Sequence, residues 1–437
     1  MGVGPEIACA AKNMPEGLPS GQPTSERKLN ILYLSQYFYP EQFLNNHIAK
    51  GLAKAGHRVD VVSCVPNYPV GRFFDGYSNT RRKEEEWEGV HVHRVFTIPR
   101  GRSPFQLIAN YLAYPPAASL RVARLIKARR YDASFVSMPS PLFQAIAGIF
   151  AKRIFGVPTI YWVQDIWPDS AIITLNIKNR LVVRLLNLFC GWIYRQADLV
   201  MVQSDGFHNK IAGYGVKPAR IVTLPNSAPD SFKPVRADAI PERIRALVPD
   251  GRRTLMFAGN IGESQDFDTI IAAAHLLSSE SDLIIVVIGS GRDEQRIKDK
   301  VRREGLGERF CFLGRHPEED MPAFFACADA MLVSLRNVPI FALTIPSKVQ
   351  AYLACGKPIL ASLAGEGAQI IEESGAGLVA PPASPHKLAE TMEEFMSIDK
   401  KGLDEMAERA LATYQSSFSI DSILKRLQVE IGRVIKS

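Results

Sequence analysis

The sequence predicts an α/β protein of two doubly wound, parallel-sheet domains facing each other across a cleft. Three observations carry that prediction. Short apolar runs of strand character alternate with helical stretches along most of the chain, as βαβ units require. The 437 residues exceed what one hydrophobic core serves, since single cores stop growing at about 250–300 residues. Both halves also share a device, ending an apolar helix at Gly and opening a strand after Pro: Phe155-Gly156-Val157-Pro158-Thr159-Ile160 and Cys355-Gly356-Lys357-Pro358-Ile359-Leu360.

Residues 1–28 are rich in Gly, Pro, Ser and charge, with no periodicity, and are expected to be disordered. The first domain is placed at 29–228. It opens on the strand Leu29–Leu34, the turn Ser35-Gln36-Tyr37-Phe38-Tyr39-Pro40-Glu41, a helix over Phe43–Ala55 stopped by Gly56, and the strand Val59–Ser63. A polar, aromatic insertion spans Pro66–Trp87, and Val90–Val95 alternates as a half-buried strand does. Ser103–Leu125 is helical, with Phe105, Leu107, Ile108, Tyr111, Leu112 and Tyr114 near arginines. It reads either as an interfacial membrane contact or as a core helix with a solvated basic face, and the second reading is favoured. Strands follow at Ala133–Ser137, Thr159–Val163, Leu199–Val202 and Ile221–Leu224.

The proline- and charge-rich stretch Ser227–Arg253 reads as the linker, within a second domain placed at 229–412. There the pattern restarts with strands at Thr254–Ala258, Leu283–Ile288 and Arg309–Leu313, each running into glycine: Gly259-Asn260-Ile261-Gly262, Gly289-Ser290-Gly291 and Gly314-Arg315. Next come a buried strand at Ala330–Val333, a loop ending Thr344-Ile345-Pro346-Ser347-Lys348, a helix to Cys355-Gly356, and the strand Pro358–Ala361.

A loop of this kind delivers the bare N–H groups of a helix start to the carboxyl edge of a parallel sheet. There the positive helix end and Lys348 can together hold a diphosphate. The same five residues equally suit a plain helix start, with Thr344 or Ser347 as its cap and Lys348 in solvent. Glycine at a strand's carboxyl end admits a ligand close to the backbone, and all three glycine turns belong to that same edge. Singly, each is an ordinary tight turn.

In the first domain, Gln164-Asp165-Ile166-Trp167-Pro168-Asp169 occupies the matching edge. Asp165 suits orienting an attacking hydroxyl or accepting its proton, and Asp169 suits capping a helix. Gln36, Tyr37, Tyr39 and Glu41 suit a sugar face, or merely pack.

Composition bounds the partners. A net charge of +7 suits anionic ligands such as nucleotide diphosphates, phosphorylated lipids and membrane faces, while no nucleic-acid motif is present. The histidines lack metal spacing, so no metal is assigned, and there is no Walker loop or GxSxG. The six cysteines are scattered and read as small buried hydrophobes of a reducing cytoplasm. No run approaches the ~18 apolar residues of a spanning helix, and no signal-peptide core is recognised, so a cytoplasmic protein is expected.

Taken together, Asn30–Leu34, Leu224-Pro225-Asn226, Phe257–Gly262, Val287–Gly291, Phe312-Leu313-Gly314 and Ala351–Pro358 resemble, in order, the family-4 glycosyltransferases. Ser35–Glu41, Gln164–Pro168 and Thr344–Lys348 look like the bacterial surface-polysaccharide branch that includes N-acetyl-L-fucosamine transferases. The resemblance implies the GT-B architecture of two Rossmann-like domains, with a last segment, 413–437, returning to the first domain. It implies a UDP-sugar donor, a polyprenyl-diphosphate-linked acceptor at the cytoplasmic membrane face, retention of configuration, and no cofactor. Carried onto this chain, Gly259 and Asn260 lie near the diphosphate and Gly289 and Gly291 near the nucleotide. Thr344, Ile345 and Ser347 become backbone donors, with Lys348 as countercharge and Arg315 as a further donor contact. Asp165 and Lys348 are the catalytic candidates, and Gln36, Tyr37, Tyr39 and Glu41 the acceptor ones.

The chain departs from the pattern in three places. The family's glutamates eight apart fall on Leu343 and Ala351, its Arg and Lys after the first strand of the second domain fall on Asn260 and Gln265, and its first-loop Gly-Gly falls on Phe43-Leu44. A sugar-nucleotide epimerase of the same architecture and a non-catalytic nucleotide-binding subunit are the alternatives these departures leave open.

Overall fold

The computed structural model describes residues 27–436 apart from 102, 175 and 176, so the expectation for the leader falls almost wholly outside the described residues. The first sheet comprises β1 (Asn30–Leu34), β2 (Arg58–Cys64), β3 (Glu84–Trp87), β4 (Val90–Val95), β5 (Ala133–Met138), β6 (Thr159–Val163), β7 (Leu199–Val202) and β8 (Ile221–Thr223). Its order is β3-β4-β2-β1-β5-β6-β7-β8, parallel except where β3 runs antiparallel to β4. Pattern reading placed β3 inside an insertion because Glu84-Glu85-Glu86 shows no apolar alternation. It is a charged edge strand, and Glu85 ties it to the buried Arg94 of β4.

The second sheet comprises β9 (Arg253–Ala258), β10 (Leu283–Ile288), β11 (Phe310–Gly314), β12 (Ala330–Ser334), β13 (Ile359–Ser362) and β14 (Gly377–Ala380), ordered β11-β10-β9-β12-β13-β14. The strand cores are nearly continuous Ile, Leu and Val because helices cover both faces. In both sheets the strand order reverses beside the first strand, which opens a crevice at the carboxyl edge.

Two features join the halves. The last helix, Ile420–Lys436, lays Ile423, Leu427 and Ile431 onto the first domain, in one cluster with Ile31, Val59 and Val61. Leu424 of that helix fills the space where a side chain on Gly51 would project, its Cδ1 only 2.2 Å from an ideal Cβ, so a larger residue at 51 would displace that leucine from the contact. The stretch 227–253 carries no full strand; within it Ile244 is completely buried in the second core.

The helix Pro104–Ala128 corrects a sequence reading. Its outer face is apolar over most of its length, with Phe105 84% exposed, Leu112 57% and Leu120 59%, and turns basic only at its end, where Arg124 and Lys127 are exposed. Arg121 is turned aside onto Glu84.

Candidate active site

β9 and β10 pair in register from Arg253 with Leu283 to Ala258 with Ile288, so the two strands end together. The glycine turns beyond them are then stitched edge to edge. Gly259 N–H donates to Ile288 O at 2.9 Å, Ile261 N–H to Ser290 O at 2.9 Å, and Gly289 N–H to Gly314 O at 2.7 Å. Gly259 and Gly289 adopt φ of 143° and 133°, and a Cβ on Gly289 would lie 1.9 Å from Gly259 O. Only glycine permits this seam, which leaves bare backbone along the edge.

Lys348 reaches the same seam from the first turn of the helix Ser347–Ala354, whose N-terminus has no side-chain cap. Thr344 instead bonds Phe341 O at 3.0 Å, Ile345 is buried in the core and Ser347 is exposed, so the plain-cap reading fails. The Lys348 ammonium lies 4.8 Å over the Phe257 ring, donates to the Gln265 amide, and packs its Cε 2.6 Å from an ideal Cβ on Gly259. Among the described residues no carboxylate pairs with it, and burial pulls its pKa down to about 8. A buried ammonium held only by a neutral amide and a ring is unfavourable by itself, and an anion brought alongside relieves it.

Asn260 and Arg315 are exposed just beyond their turns, and Arg336 is engaged with Glu263. Gln265, at one of the positions where the family carries a cation, is the residue that holds Lys348.

The other wall comes from the first domain. Gln164, Gln203 and Asn226, which follow β6, β7 and β8, form an amide row: Gln203 Nε2 donates to Gln164 O at 2.8 Å and Asn226 Nδ2 to Gln203 Oε1 at 3.0 Å. Gln164 Nε2 and Asn226 Oδ1 are buried with no partner, which is polar capacity kept for something outside the fold. Asp165 is next in the chain, half-buried beside Ser170 and Trp167, with its carboxyl pKa raised by burial. Asp169 opens the helix Asp169–Thr174, and its carboxylate binds Lys210 at 3.1 Å and Tyr214 at 3.0 Å.

The acceptor candidates after β1 are held largely within the fold, with Tyr39 half-buried and Gln36 Oε1 unpartnered. Gln36 is fully buried on Asn110 Oδ1 at 2.8 Å, and Tyr37 reaches the same oxygen while stacked on Phe43. Tyr39 stacks on Trp87 at 4.7 Å. Glu41 accepts the backbone N–H groups of Phe38, Asn67 and Tyr68, joining two loops, and burial lifts its pKa to about 7. These side chains build the turn.

Sequence reasoning missed the contact that joins the two edges. Ser204 Oγ, after β7, donates to Leu343 O, and the Leu343 side chain packs against the first domain's core. Glu366, first residue of the helix Glu366–Ser374, turns its half-buried carboxylate to the backbone of Asp205 and Gly206. A Cβ on Gly206 would sit 2.9 Å from Leu343 Cα. A leucine where the family carries glutamate thus serves as an apolar contact across the cleft. The glycines flanking Glu366 were the available signal, since Gly365 has φ of 75° and a Cβ there would strike Ala342 O at 1.9 Å.

Two family models cover most of the chain. Residues 45–227 match the glycosyl transferase 4-like domain, and residues 240–412 match glycosyl transferases group 1. This chain is a family-4 glycosyltransferase of the GT-B fold. It is 27% identical over 320 residues to the probable glycosyltransferase WbjE of Pseudomonas aeruginosa, covering 70% of this chain and 77% of that one. It is likewise 27% identical over 312 residues to the putative colanic acid biosynthesis glycosyl transferase WcaI of Escherichia coli K12, covering 70% and 75%. Among solved structures, Anabaena HepE in complex with UDP and glucose shares the fold at a TM-score of 0.65 and 18% identity, over 92% of this chain and 99% of that one. Sucrose-phosphate synthase of Thermosynechococcus elongatus does so at 0.67 and 16%, over 94% and 100%.

Proposed function

We propose that this glycosyltransferase moves an N-acetylated amino or deoxy sugar from a UDP-sugar to a hydroxyl of a polyprenyl-diphosphate-linked saccharide. The setting is surface-polysaccharide assembly (O-antigen or capsule) at the inner face of the plasma membrane. One observation carries the donor half of the reading: the buried Lys348 ammonium, unpaired by any described carboxylate, against a seam of glycine backbone. The names of WbjE and WcaI, and the UDP bound by HepE, support the same direction.

As the bond from the anomeric carbon to the diphosphate oxygen breaks, its electron pair adds charge to the leaving group. Lys348 and the backbone donors of Ile345 and Ser347 stabilise that charge more in the transition state than in the ground state, whereas the Thr344 N–H is already donated to Phe341 O at 3.2 Å. The acceptor oxygen bonds to the same carbon with retention, and its proton passes to the departing diphosphate or to Asp165. The chemistry calls on no metal.

A thermal-shift screen of nucleotides and nucleotide sugars tests the donor. UDP and one UDP-sugar should raise the melting temperature, because a ligand that binds only the folded state stabilises it. Stabilisation by another nucleotide alone would overturn the donor assignment. Isomerised donor formed without acceptor would favour an epimerase.

A further inference from the structure

Between the helices Pro104–Ala128 and Arg180–Tyr194 of the first domain lies an open trough of about 480 Å³. Its walls include Leu112, Pro115, Ser119, Phe143, Ile146 and Phe189. The volume is that of small-ligand sites, about 300–1,000 Å³, and the lining is almost wholly apolar. Its banks remain apolar at the surface, where Ile108, Leu185 and Leu188 are more than half exposed. Neither helix contains a single Asp or Glu, while Arg180 and Arg184 are exposed on the second.

The trough runs into the catalytic edge. Phe189 packs on Phe143 with ring centroids 5.8 Å apart, Phe143 on Trp167 at 5.5 Å, and Trp167 on Tyr111 at 6.5 Å. Trp167 belongs to the Asp165 loop. The Arg100 guanidinium lies near Tyr111, beside the Tyr37 hydroxyl and 5.2 Å over the Tyr68 ring. A cation thus stands at one end of an aromatic path and an open hydrocarbon surface at the other. That is the arrangement an amphiphile with an anionic head recognises.

We propose that this trough is a subsite for the hydrocarbon chain of a phosphate-linked lipid acceptor, with Arg100 meeting the phosphate and the chain leading away past Phe143. The proposal deepens the acceptor half of the reading above and rests on it. It also gives the exposed apolar banks a role, since a chain seated there emerges toward the bilayer that holds its remainder.

The test titrates full-length protein with farnesyl phosphate below its micelle concentration, with inorganic phosphate and with UDP, in wild type and three surface variants. Ser119→Phe fills the trough, Arg100→Ala removes the cation, and Leu120→Glu charges the same helix outside the trough. Farnesyl phosphate should bind while inorganic phosphate does not. Ser119→Phe and Arg100→Ala should each weaken that binding by about tenfold or more. Leu120→Glu should leave it within about twofold, and UDP binding should be unchanged throughout. Equal binding of inorganic phosphate, an unaffected Ser119→Phe, or an equal loss in Leu120→Glu would each overturn the subsite, the last marking the face as a plain bilayer contact. UDP binding with any of these failures leaves the donor reading standing, whereas absent UDP binding refutes that reading separately.

Discussion

After β1, the side chains of Gln36 and Tyr37 bond Asn110, Glu41 bonds two loops, and all three are buried; after β12, the half-buried Lys348 meets only a neutral amide and a ring. Both loops stand at the carboxyl edge of a Rossmann-like sheet, and both looked functional as strings of polar residues. Their difference lies in the hydrogen-bond and charge account. A polar turn whose hydrogen bonds are mostly made within the fold is architecture: Glu41 and Tyr37 have partners there, and Gln36 Oε1 alone of the three side chains keeps a buried atom unpartnered. A buried cation without an anion is an incomplete site. By the same criterion the amide row around Gln164 and Asn226, with two buried atoms unpartnered, belongs with the second kind.

Substitutions can break or sharpen this contrast. The largest effect is expected at Asp165, where Asp165→Asn should lower transfer by about 10²–10⁴-fold, the usual worth of a general base, with UDP affinity unchanged. A drop in melting temperature without a specific loss of turnover would instead make Asp165 structural, through Ser170 and Trp167.

Lys348→Met should reduce UDP affinity by about 2–5 kcal/mol, or roughly 30-fold to a few thousand-fold, because a desolvated charge contact is removed. Without ligand the same variant should melt at the wild-type temperature or higher, since an uncompensated buried ammonium is gone. Calorimetry of both states checks the opposite signs.

Glu41→Ala should behave conversely. Three backbone N–H groups lose their acceptor, destabilising the fold by about 3 kcal/mol and lowering the melting temperature by about 6–12 °C. UDP affinity should not change at temperatures where the variant is folded.

The smallest effect is in pH. The Lys348 pKa is depressed from 10.5 to about 8, so the unfolded chain binds more protons than the native one between those values. Lys348 therefore makes stability of the unliganded protein rise with pH across that window. UDP, which needs the ammonium, should bind more weakly above about pH 8, by at most tenfold per pH unit. In Lys348→Met the dependence of UDP binding should be absent, and the rise of stability with pH should shrink to what other groups such as the buried Lys357 contribute.

The fold was legible because its elements are long and periodic: Leu283–Ile288 and Ala330–Ser334 can only be buried strands of a parallel sheet. β3 was not, because an edge strand of glutamates lacks apolar alternation, and β14 escaped because Gly377-Leu378-Val379-Ala380 carries only two large apolar residues. The three glycine turns were readable as sharing one edge, and the structure adds the backbone hydrogen bonds that stitch them into a seam. What sequence could not give was satisfaction. Nothing in Ser35–Glu41 announces that Asn110, 74 residues from Gln36, takes up the Gln36 amide N–H and the Tyr37 hydroxyl. Nothing in Lys348 announces that Gln265 is its neighbour. Leu343 looked like a lost glutamate until Ser204 and Gly206 were seen against it.

The most direct test is a calorimetric titration of UDP against uridine in the wild type and in Lys348→Met at pH 7. The account predicts that the diphosphate strengthens wild-type binding by more than about tenfold and that the variant loses most of this advantage. Equal affinity for UDP and uridine in the wild type, or an undiminished preference for UDP in the variant, would contradict it.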